Sequence, residues 1–261
     1  MPELPDVEGF RRVAERAAGG TVEEVEVHDP GVVRNLSARE LRQALVGSRV
    51  ERVYRHGKWL LVATDGGSGS PQTLLLHFGM TGMLLWCEPG TDLHQHDRVV
   101  FRFDDGELRY RDMRKLTGIQ LLSNESEVNE FLDSIGPDAA AISRAEFGDL
   151  VLGARRQLKP LLMDQSVLAG LGNICVDEIL WQAHLHPKRS DISADDLDEL
   201  YRTMRSVLRT SMRAGQVPPR ESWLTGHRDR SGEPCPRCGQ EFSRKRIGGR
   251  TTVWCPKCQP D

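Results

Sequence analysis

Residues 235–258 read CPRCGQEFSRKRIGGRTTVWCPKC, and this stretch decides how the end of the chain folds. It holds two Cys-x-x-Cys pairs, Cys235 with Cys238 and Cys255 with Cys258, separated by sixteen residues. Each pair supplies two thiolates from one tight turn, so the pairs together predict a tetrahedral four-cysteine zinc site. Four protein ligands leave no open position, which makes the predicted zinc ion structural. A segment of about 35 residues is too short for a core of its own, so zinc binding supplies its folding free energy.

The residues between the two cysteine pairs, Phe242 to Thr252, are typical of a β-hairpin with a basic turn. From Arg228 to Cys258 the chain carries eight Lys or Arg against three Asp or Glu, whereas the whole chain has a formal net charge of −3. A segregated basic segment can bind phosphate groups despite an overall negative charge. Charge alone leaves an ordinary solvated surface open as the alternative. Disulfide pairing of the cysteines is disfavoured because nothing in the sequence indicates secretion.

Length and composition limit the class of protein. The chain has 261 residues, of which 38% are apolar and 28% charged, and this fits one large or two smaller globular domains. No apolar run is long enough for a transmembrane helix, so we predict no membrane association. The opening residues lack the pattern of a signal peptide, and we predict a cytoplasmic protein, associated with the nucleoid if the source is bacterial. The lysine motif of phosphate-binding loops is absent, so we predict no nucleotide cofactor.

Hydrophobic spacing and turn residues divide the chain into a β-rich part and a helical part. Apolar residues at helical spacing predict a first helix over residues 5–18. Short β-like segments follow, and their spacing indicates an antiparallel sandwich or barrel. The strands are predicted at 22–28, 49–55, 58–64, 73–78, 82–87, 98–103, 107–111 and 118–122.

Beyond about residue 125 the pattern becomes helical. Ser143 with Glu146 has the form of a capping box, Ser193 is expected to cap the last helix, and Gly215 to end it. Helices are predicted at 144–152, 157–164, 173–183 and 194–213.

The start of the third of these helices is rich in glycine. Ala169-Gly170-Leu171-Gly172-Asn173 precedes an apolar helical stretch. Glycines let the backbone approach a ligand, and the free amides of a helix start attract an anion. We therefore predict that Asn173 lies at the cap and donates its side-chain amide to a phosphate. The alternative is an ordinary turn between two helices.

The first residues, Met1-Pro2-Glu3, predict a nucleophile. If Met1 is removed, Pro2 becomes an N-terminal secondary amine with the carboxylate of Glu3 beside it. An α-amino group titrates near ~7.7–8.0, so a sizeable fraction is neutral and nucleophilic at physiological pH. Its attack on a sugar carbon gives an iminium, which is the Schiff-base form of covalent catalysis. The alternative is that Pro2 only begins a helix.

Several further motifs occur in one order along almost the whole chain, between the start Met1 to Pro5 and the cysteine module. They are His56-Gly57-Lys58, His77 to Gly82, Lys159 to Leu162, Asp164-Gln165, Ala169 to Asn173 and Gly232 to Cys235. With these motifs the chain resembles the Fpg/Nei family of DNA glycosylase/AP lyases.

The resemblance implies a multidomain α+β protein with DNA in a cleft between its two halves. An N-terminal antiparallel β-sandwich with flanking helices is expected over residues 1–125, and a helical helix-two-turn-helix (H2TH) domain over 126–220. A four-cysteine zinc-finger β-hairpin is expected over 221–261. The implied partner is damaged double-stranded DNA, bound by a monomer that carries one structural Zn²⁺.

The resemblance also implies an activity. Such enzymes remove oxidised bases, namely 8-oxoguanine, formamidopyrimidines or oxidised pyrimidines, and then cleave the abasic strand by β- and δ-elimination in base excision repair. The damaged nucleotide is first extruded from the duplex. Pro2 matches the amine that attacks C1′, and Glu3 matches the acid/base carboxylate. Lys58 matches the lysine that moves protons during β-elimination, and Arg250 matches the finger arginine that grips the phosphate and serves δ-elimination.

A set of DNA contacts follows from the same resemblance. His77 and Asn173 are expected to grip phosphates together with Arg250, and Lys159 to lie near the pocket. Met80, Arg114 and Leu116 are expected to fill the space that the extruded base leaves, although Leu116 stands where the family has phenylalanine; leucine is apolar enough to wedge a base step. His96 and Arg155 complete the predicted contacts.

Two questions stay open from the sequence. The link from Gly215 to the finger is short, so the loop that caps 8-oxoguanine in the Fpg branch is expected to be absent or truncated, and the preferred lesion is open. A catalytically silent, zinc-dependent DNA-damage-binding protein of the same fold is the alternative to the enzyme. Pro2, Glu3 and Lys58 are all present, which favours the enzyme because a damage sensor has no need of them.

Overall fold

The computed structural model describes residues 1–67, 69–230 and 232–261. The chain forms two compact units, one made of Met1–Pro2 with Asp6–Ser134 and the other of Glu3–Pro5 with Ile135–Asp261. In the part of the chain that is described, no helix has both the length and the apolar character needed to cross a bilayer. The domain boundaries at 125 and 220 stay predictions.

Two four-stranded antiparallel sheets form the first unit, with strand orders β1-β6-β7-β5 and β2-β3-β4-β8. Buried side chains from both sheets meet in one core, among them Phe101 and Leu108 from the first sheet and Leu60 and Leu74 from the second. The strands are β1 (Glu24–Val27), β2 (Val50–His56), β3 (Trp59–Thr64), β4 (Gln72–His77), β5 (Met83–Cys87), β6 (Asp97–Phe103), β7 (Gly106–Arg111) and β8 (Ile119–Leu122). The predicted antiparallel sandwich is confirmed.

Strands β3 and β4 are buried on both faces, which explains their nearly continuous apolar sequence. Leu60 and Leu76 face the core between the sheets, whereas Leu61 and Leu75 face the other way and pack with Val128. Val128 lies on helix α3 (Glu125–Asp133), which covers the outer face of this sheet. The other two helices of this part of the chain are α1 (Leu4–Ala14) and α2 (Ala38–Leu45).

Helices α2 and α3 are present in the structure but were not predicted from the sequence. The signal for α2 is present in the sequence, because Ser37 and Glu40 form a capping box in which each side chain accepts the other residue's backbone N–H. Helix α3 begins after Asn124, whose side chain accepts from the backbone N–H of Glu127.

The second unit is helical and ends in the finger. Its helices are α4 (Arg144–Gly153), α5 (Leu158–Leu162), α6 (Asn173–Gln182) and α7 (Ala194–Ala214). The predicted capping box of Ser143 with Glu146 is confirmed, and Ser193 caps α7 as expected. Gly215 ends α7 in the left-handed conformation with φ of 71°. Helix α6 is buried from Cys175 to Trp181, so it is the central helix of this unit.

The predicted finger hairpin is confirmed and consists of β9 (Ser243–Ile247) and β10 (Arg250–Trp254). Ile247 pairs with Arg250 across a two-residue turn of Gly248 and Gly249. Both glycines have positive φ, 56° and 75°, as the tightest hairpin turns require. Arg250 is therefore the first strand residue after the turn.

Candidate active site and DNA interface

The carboxylate of Glu3 occupies the N-terminal end of α6. Its Oε1 accepts from the backbone N–H of Ile174 at 2.8 Å, and its Oε2 accepts from that of Cys175 at 2.9 Å. The residue is only 2% exposed. The backbone N–H of Leu4 also donates to the carbonyl of Gly170 at 3.0 Å. A helix start favours negative charge because its first amides lack partners within the helix and its dipole is positive there.

Two glycines make this arrangement possible. A Cβ on Gly172 would lie 2.2 Å from Cδ of Glu3, and a Cβ on Gly170 would lie 2.5 Å from Cδ1 of Leu4. Gly170 also has φ of +113°. The glycine-rich sequence before α6 therefore lets the chain's own first residues approach the helix start.

The prediction that Asn173 caps α6 is wrong, because Gly172 is the N-cap and Asn173 is the first helical residue. The anion at this helix start is the carboxylate of Glu3, which accepts from backbone amides that were predicted to attract a phosphate. The side chain of Asn173 instead donates from Nδ2 to the carbonyl of Thr251 at 2.9 Å. Thr251 directly follows Arg250, so the start of α6 and the start of β10 are adjacent.

Lys159, predicted to lie near the DNA pocket, is fully buried. Its Nζ lies 2.5 Å from Oδ1 of Asp177 on α6. Burial lowers the pKa of the Lys159 ammonium, and Asp177 offsets part of that effect. The structure thus places this ammonium inside the second unit, and a DNA contact by Lys159 stays a prediction.

The four cysteines of the finger are brought together as predicted. Their sulfur atoms all lie within 4.8 Å of one another, with 3.9 Å between Cys235 and Cys258 and 3.5 Å between Cys238 and Cys255. Zn–S bonds of about 2.3 Å in a tetrahedron place sulfurs about 3.8 Å apart, so the cluster fits zinc. Within the described residues this is the one group that could hold a metal ion. All four positions are filled by thiolates, and the site is a structural zinc site.

In the first unit, Lys58 and His77 lie at one end of the second sheet. Lys58 is the second residue of the two-residue turn between β2 and β3, after Gly57 with φ of 56°. Trp59 follows it, pairs with His77 of β4 and packs edge-on against that ring, with 4.6 Å between the ring centroids. Lys58 is close enough to His77 for its charge to act on the imidazole.

His77 is a neutral hydrogen-bond donor. Its Nδ1 accepts from the backbone N–H of Gly79 at 3.0 Å, which leaves the ring proton on Nε2. Burial, with the nearby charge of Lys58, lowers the pKa of His77 to about 4. At neutral pH the ring therefore offers an N–H without a positive charge.

Met80, Arg114 and Leu116 lie on two neighbouring loops of the first unit. Arg114 Nη1 is 3.0 Å from Sδ of Met80, and the backbone N–H of Arg114 donates to Oγ1 of Thr81 at 3.1 Å. Met80 is 41% exposed and Leu116 is 52% exposed. The structure therefore brings two of the three predicted wedge residues into contact and leaves the side chain of the third on the surface.

Arg34, which was not among the predicted site residues, holds the second of these loops. Its guanidinium donates to the carbonyls of Lys115 at 2.6 Å and Thr117 at 2.9 Å. Lys115 lies between Arg114 and Leu116 with φ of 52°, a strained value that binding loops often hold. Nothing in the local sequence identifies Arg34, because its role depends on a contact with a distant loop.

The two remaining predicted contacts lie elsewhere. The carbonyl of His96 accepts from the backbone N–H of Asp112 at 3.0 Å, at the base of the loop that carries Arg114. Arg155 is exposed between α4 and α5 with φ of 44°.

Comparison with known proteins agrees with this architecture. Residues 1–119 match the model of the formamidopyrimidine-DNA glycosylase N-terminal domain, 135–220 that of its H2TH domain, and 232–260 a zinc finger found in FPG and IleRS. Formamidopyrimidine-DNA glycosylase of Heliobacterium modesticaldum is 37% identical over 99% of this chain and 100% of its own. That of Acidothermus cellulolyticus is 36% identical over 100% of this chain and 98% of its own.

Solved structures give the same result. Lactococcus lactis Fpg in a complex with abasic-site DNA superposes with a TM-score of 0.87 at 29% identity, with all of both chains covered. The same protein bound to Fapy-dG DNA gives 0.86 at 28% identity, over 99% of this chain and 100% of that one.

The sandwich, the helical unit and the four-cysteine hairpin, together with these matches, define a DNA glycosylase with AP lyase activity that acts in base excision repair. The chain belongs to the formamidopyrimidine-DNA glycosylase family. The family resemblance predicted from the sequence is confirmed.

Removing zinc with a chelator is expected to unfold the finger hairpin and abolish binding to a damaged duplex, because zinc binding supplies the folding free energy of so short a segment. Elemental analysis and a DNA-binding titration measure the two effects. Cys87→Ser, which changes a cysteine outside the cluster, is the matched control and should keep its zinc. Full binding by protein shown to have lost its zinc contradicts the prediction.

Replacing His77 with Gln is expected to reduce the decrease in the free energy of unfolding that occurs as the pH falls. An unfolded histidine binds a proton below about pH 6.5, whereas folded His77 stays neutral down to about 4. The free energy of unfolding should therefore fall as the pH drops from about 6.5 to about 4, by up to about 3 kcal/mol for this one group, with no penalty at higher pH. Denaturant titrations across this range measure the effect. His94→Gln, at an exposed histidine, is the matched control, and an equal pH dependence in the two variants refutes the prediction.

Gly172→Ala is expected to slow base release by about 100-fold, because Glu3 is the predicted acid/base group and a catalytic group displaced by about 1 Å loses roughly that much rate. The new Cβ would lie 2.2 Å from Cδ of Glu3, and at φ of −124° the backbone itself tolerates alanine, so the effect is steric. Single-turnover base release measures it. Gly153→Ala is the matched control, since no atom lies within 4 Å of its Cβ. Equal rates for both variants would contradict the role of this close approach.

Proposed function

We propose that this chain excises oxidised bases with Pro2 as its covalent nucleophile and Glu3 as its acid/base group. The proposal rests on one observation: the backbone amides of Ile174 and Cys175, at the start of α6, donate hydrogen bonds to the carboxylate of Glu3. Pro2 is bonded to Glu3, so fixing Glu3 keeps the nucleophilic nitrogen within a few ångströms of it. A pre-positioned nucleophile and carboxylate lower the barrier by removing the entropy of bringing them together.

The reaction proceeds through a covalent intermediate with sugar carbon C1′. The nitrogen of Pro2, freed by removal of Met1, bonds to C1′ as the bond from C1′ to the base breaks. The carboxylate of Glu3 takes the proton that the Pro2 nitrogen loses and passes it to the ring oxygen as the sugar ring opens to an iminium. The departing base takes its proton from water. Loss of a proton from C2′ expels the 3′ phosphate, and Lys58 serves this proton transfer. A second elimination expels the 5′ phosphate with Arg250, and water then hydrolyses the iminium and frees the enzyme.

The strand is held by two neutral donors and one cation. The N–H at Nε2 of His77 and the second N–H of the Asn173 amide can donate to phosphate oxygens without any change of charge. Arg250 adds the cation at the hairpin turn. Met80, Arg114 and Leu116 fill the place of the extruded base. We propose that the protein acts as a monomer on damaged double-stranded DNA in the cytoplasm, without a membrane or a nucleotide cofactor.

Ring-opened and oxidised purines are the proposed substrates. The relatives are named formamidopyrimidine-DNA glycosylases, and the Lactococcus lactis protein has been solved with Fapy-dG DNA. That protein has also been solved with DNA that contains an oxidised pyrimidine, so oxidised pyrimidines are the second candidate class. Leu116 stacks less well on a base than an aromatic side chain does, so the preference for the opposite base is also open to test. Base release from a panel of duplexes that vary both the lesion and the opposite base distinguishes purine from pyrimidine substrates.

Borohydride is expected to trap a covalent complex between the Met-free protein and abasic DNA, because hydride reduces the iminium to a stable amine. Pro2→Gly should weaken lyase activity, and Glu3→Gln should chiefly slow base release, by about 100-fold or more. Denaturing gels and mass spectrometry measure the adduct and its site. Glu178→Gln is the matched control, since Glu178 is also buried and also accepts a backbone N–H, from Thr225.

Each negative result would contradict a different part of the proposal. No adduct with verified Met-free protein would support the silent damage-binding alternative. An adduct formed equally well by protein that retains Met1 would exclude Pro2 as the nucleophile. Unchanged base release in Glu3→Gln would remove Glu3 from its role.

A further inference from the structure

A buried ion cluster in the second unit joins three separate segments of the chain. Asp177 of α6 lies at its centre, with Nζ of Lys159 2.5 Å from its Oδ1 and Nη2 of Arg228 3.0 Å from its Oδ2. Lys159 is on α5, and Arg228 is in the segment that leads to the finger. Lys159 is 0% exposed, Asp177 2% and Arg228 8%. Two cations thus share one carboxylate away from solvent.

The cluster converges on the backbone of β10. The carbonyl oxygen of Thr251 accepts three hydrogen bonds, from Nζ of Lys159 at 3.5 Å, Nη2 of Arg228 at 3.2 Å and Nδ2 of Asn173 at 2.9 Å. Two residues on, the backbone N–H of Val253 donates to Oδ2 of Asp177 at 3.2 Å. Both ends of a three-residue segment that begins directly after Arg250 are therefore bonded to charged side chains.

Apolar contacts also join the finger to α6. Trp181, Leu224 and Val253 already form an apolar cluster with the buried cysteines. Replacing a buried ion pair with apolar side chains is often neutral or stabilising, because removing charges from water is costly. Directional hydrogen bonds, in contrast, fix the register and distance of a strand in a way that apolar packing does not.

The hairpin tip is seated by the same helix. A Cβ on Gly248 would lie 3.1 Å from Cγ of Pro160, so the turn packs directly on α5 next to Lys159. Arg250 is exposed between this packed turn and the bonded segment 251–253. Its backbone is therefore held from both sides, while its side chain remains available to a ligand.

We propose that Lys159, Asp177 and Arg228 are positioning residues that hold Arg250 at the distance from Asn173 and Glu3 that δ-elimination requires. This rests on the proposed role of Arg250 in expelling the second phosphate. Lys159 then acts on the reaction through the backbone of Thr251, with no contact of its own to DNA.

The test compares the products of δ- and β-elimination formed from abasic DNA. This ratio is measured in single turnovers, in which one bound enzyme processes each DNA molecule, so a loss of folded protein lowers both products and leaves the ratio unchanged. Asp177→Asn, which leaves two cations without a counter-charge, is expected to shift the ratio toward β-product by about ten-fold, because small misplacements of a catalytic group are costly. Lys159→Met keeps the Asp177–Arg228 pair and should shift the ratio in the same direction even if Asp177→Asn fails to fold.

Arg237→Met is the matched control. Arg237 also joins the finger to α6, through the carbonyl of Trp181 at 2.8 Å and the face of its ring at 3.9 Å. Its other hydrogen bonds go to His184 and Gln182, not to segment 251–253. This variant is expected to lower the thermal midpoint and leave the product ratio unchanged. An equal shift of the ratio in Arg237→Met would show general loosening of the finger and overturn the proposal.

Combining each change with Arg250→Ala completes the test. If the cluster acts through Arg250, Lys159→Met should cause no further shift in the Arg250→Ala background. A further loss of activity there would indicate a direct DNA contact by Lys159 and overturn the inference. If the ratio is normal in Lys159→Met and Asp177→Asn but altered in Arg250→Ala, the positioning role of the cluster is overturned, whereas the proposed role of Arg250 stands. A normal ratio in Arg250→Ala would instead remove the proposed role of Arg250 itself.

Discussion

The hydrogen bonds from the amides of Ile174 and Cys175 to the carboxylate of Glu3 are the contact on which the proposed chemistry depends. A chain end is normally mobile because few contacts restrain it. Here the third residue is buried at the start of the central helix of the second unit, and two glycines leave the space for it. Glu3 is thereby fixed at the helix start, which is what the proposed role of Pro2 as nucleophile requires.

Two of the proposed phosphate contacts carry no charge. His77 is neutral at physiological pH, and Asn173 is an amide. Lys159 and Arg228 are cations, but both are turned toward Asp177 inside the protein. The finger adds exposed positive charge, because β9 carries Arg244, Lys245 and Arg246 on its exposed positions. This division explains how a chain with a formal net charge of −3 can hold DNA.

Much of this organisation could be predicted from the sequence, since it depends on local signals. Cysteine spacing gave the zinc site, and the serine caps and Gly215 gave the bounds of α4 and α7. The start of α6 was predicted as an anion site, and the anion was misassigned because Glu3 is 171 positions from Ile174 in sequence. Arg34 and the burial of Lys159 were likewise beyond prediction, as each depends on a tertiary contact.

Burial of Lys159 also changes how a motif lysine is interpreted. A lysine in a motif shared with DNA-binding proteins is easily taken for a phosphate contact, since exposed lysines commonly serve that purpose. Full burial beside Asp177 makes that contact costly, because the ammonium would have to leave its carboxylate. The carbonyl of Thr251, by contrast, is already within its reach and lies one residue from Arg250. A buried charge can thus serve the reaction by fixing the backbone that carries the residue in contact with the substrate.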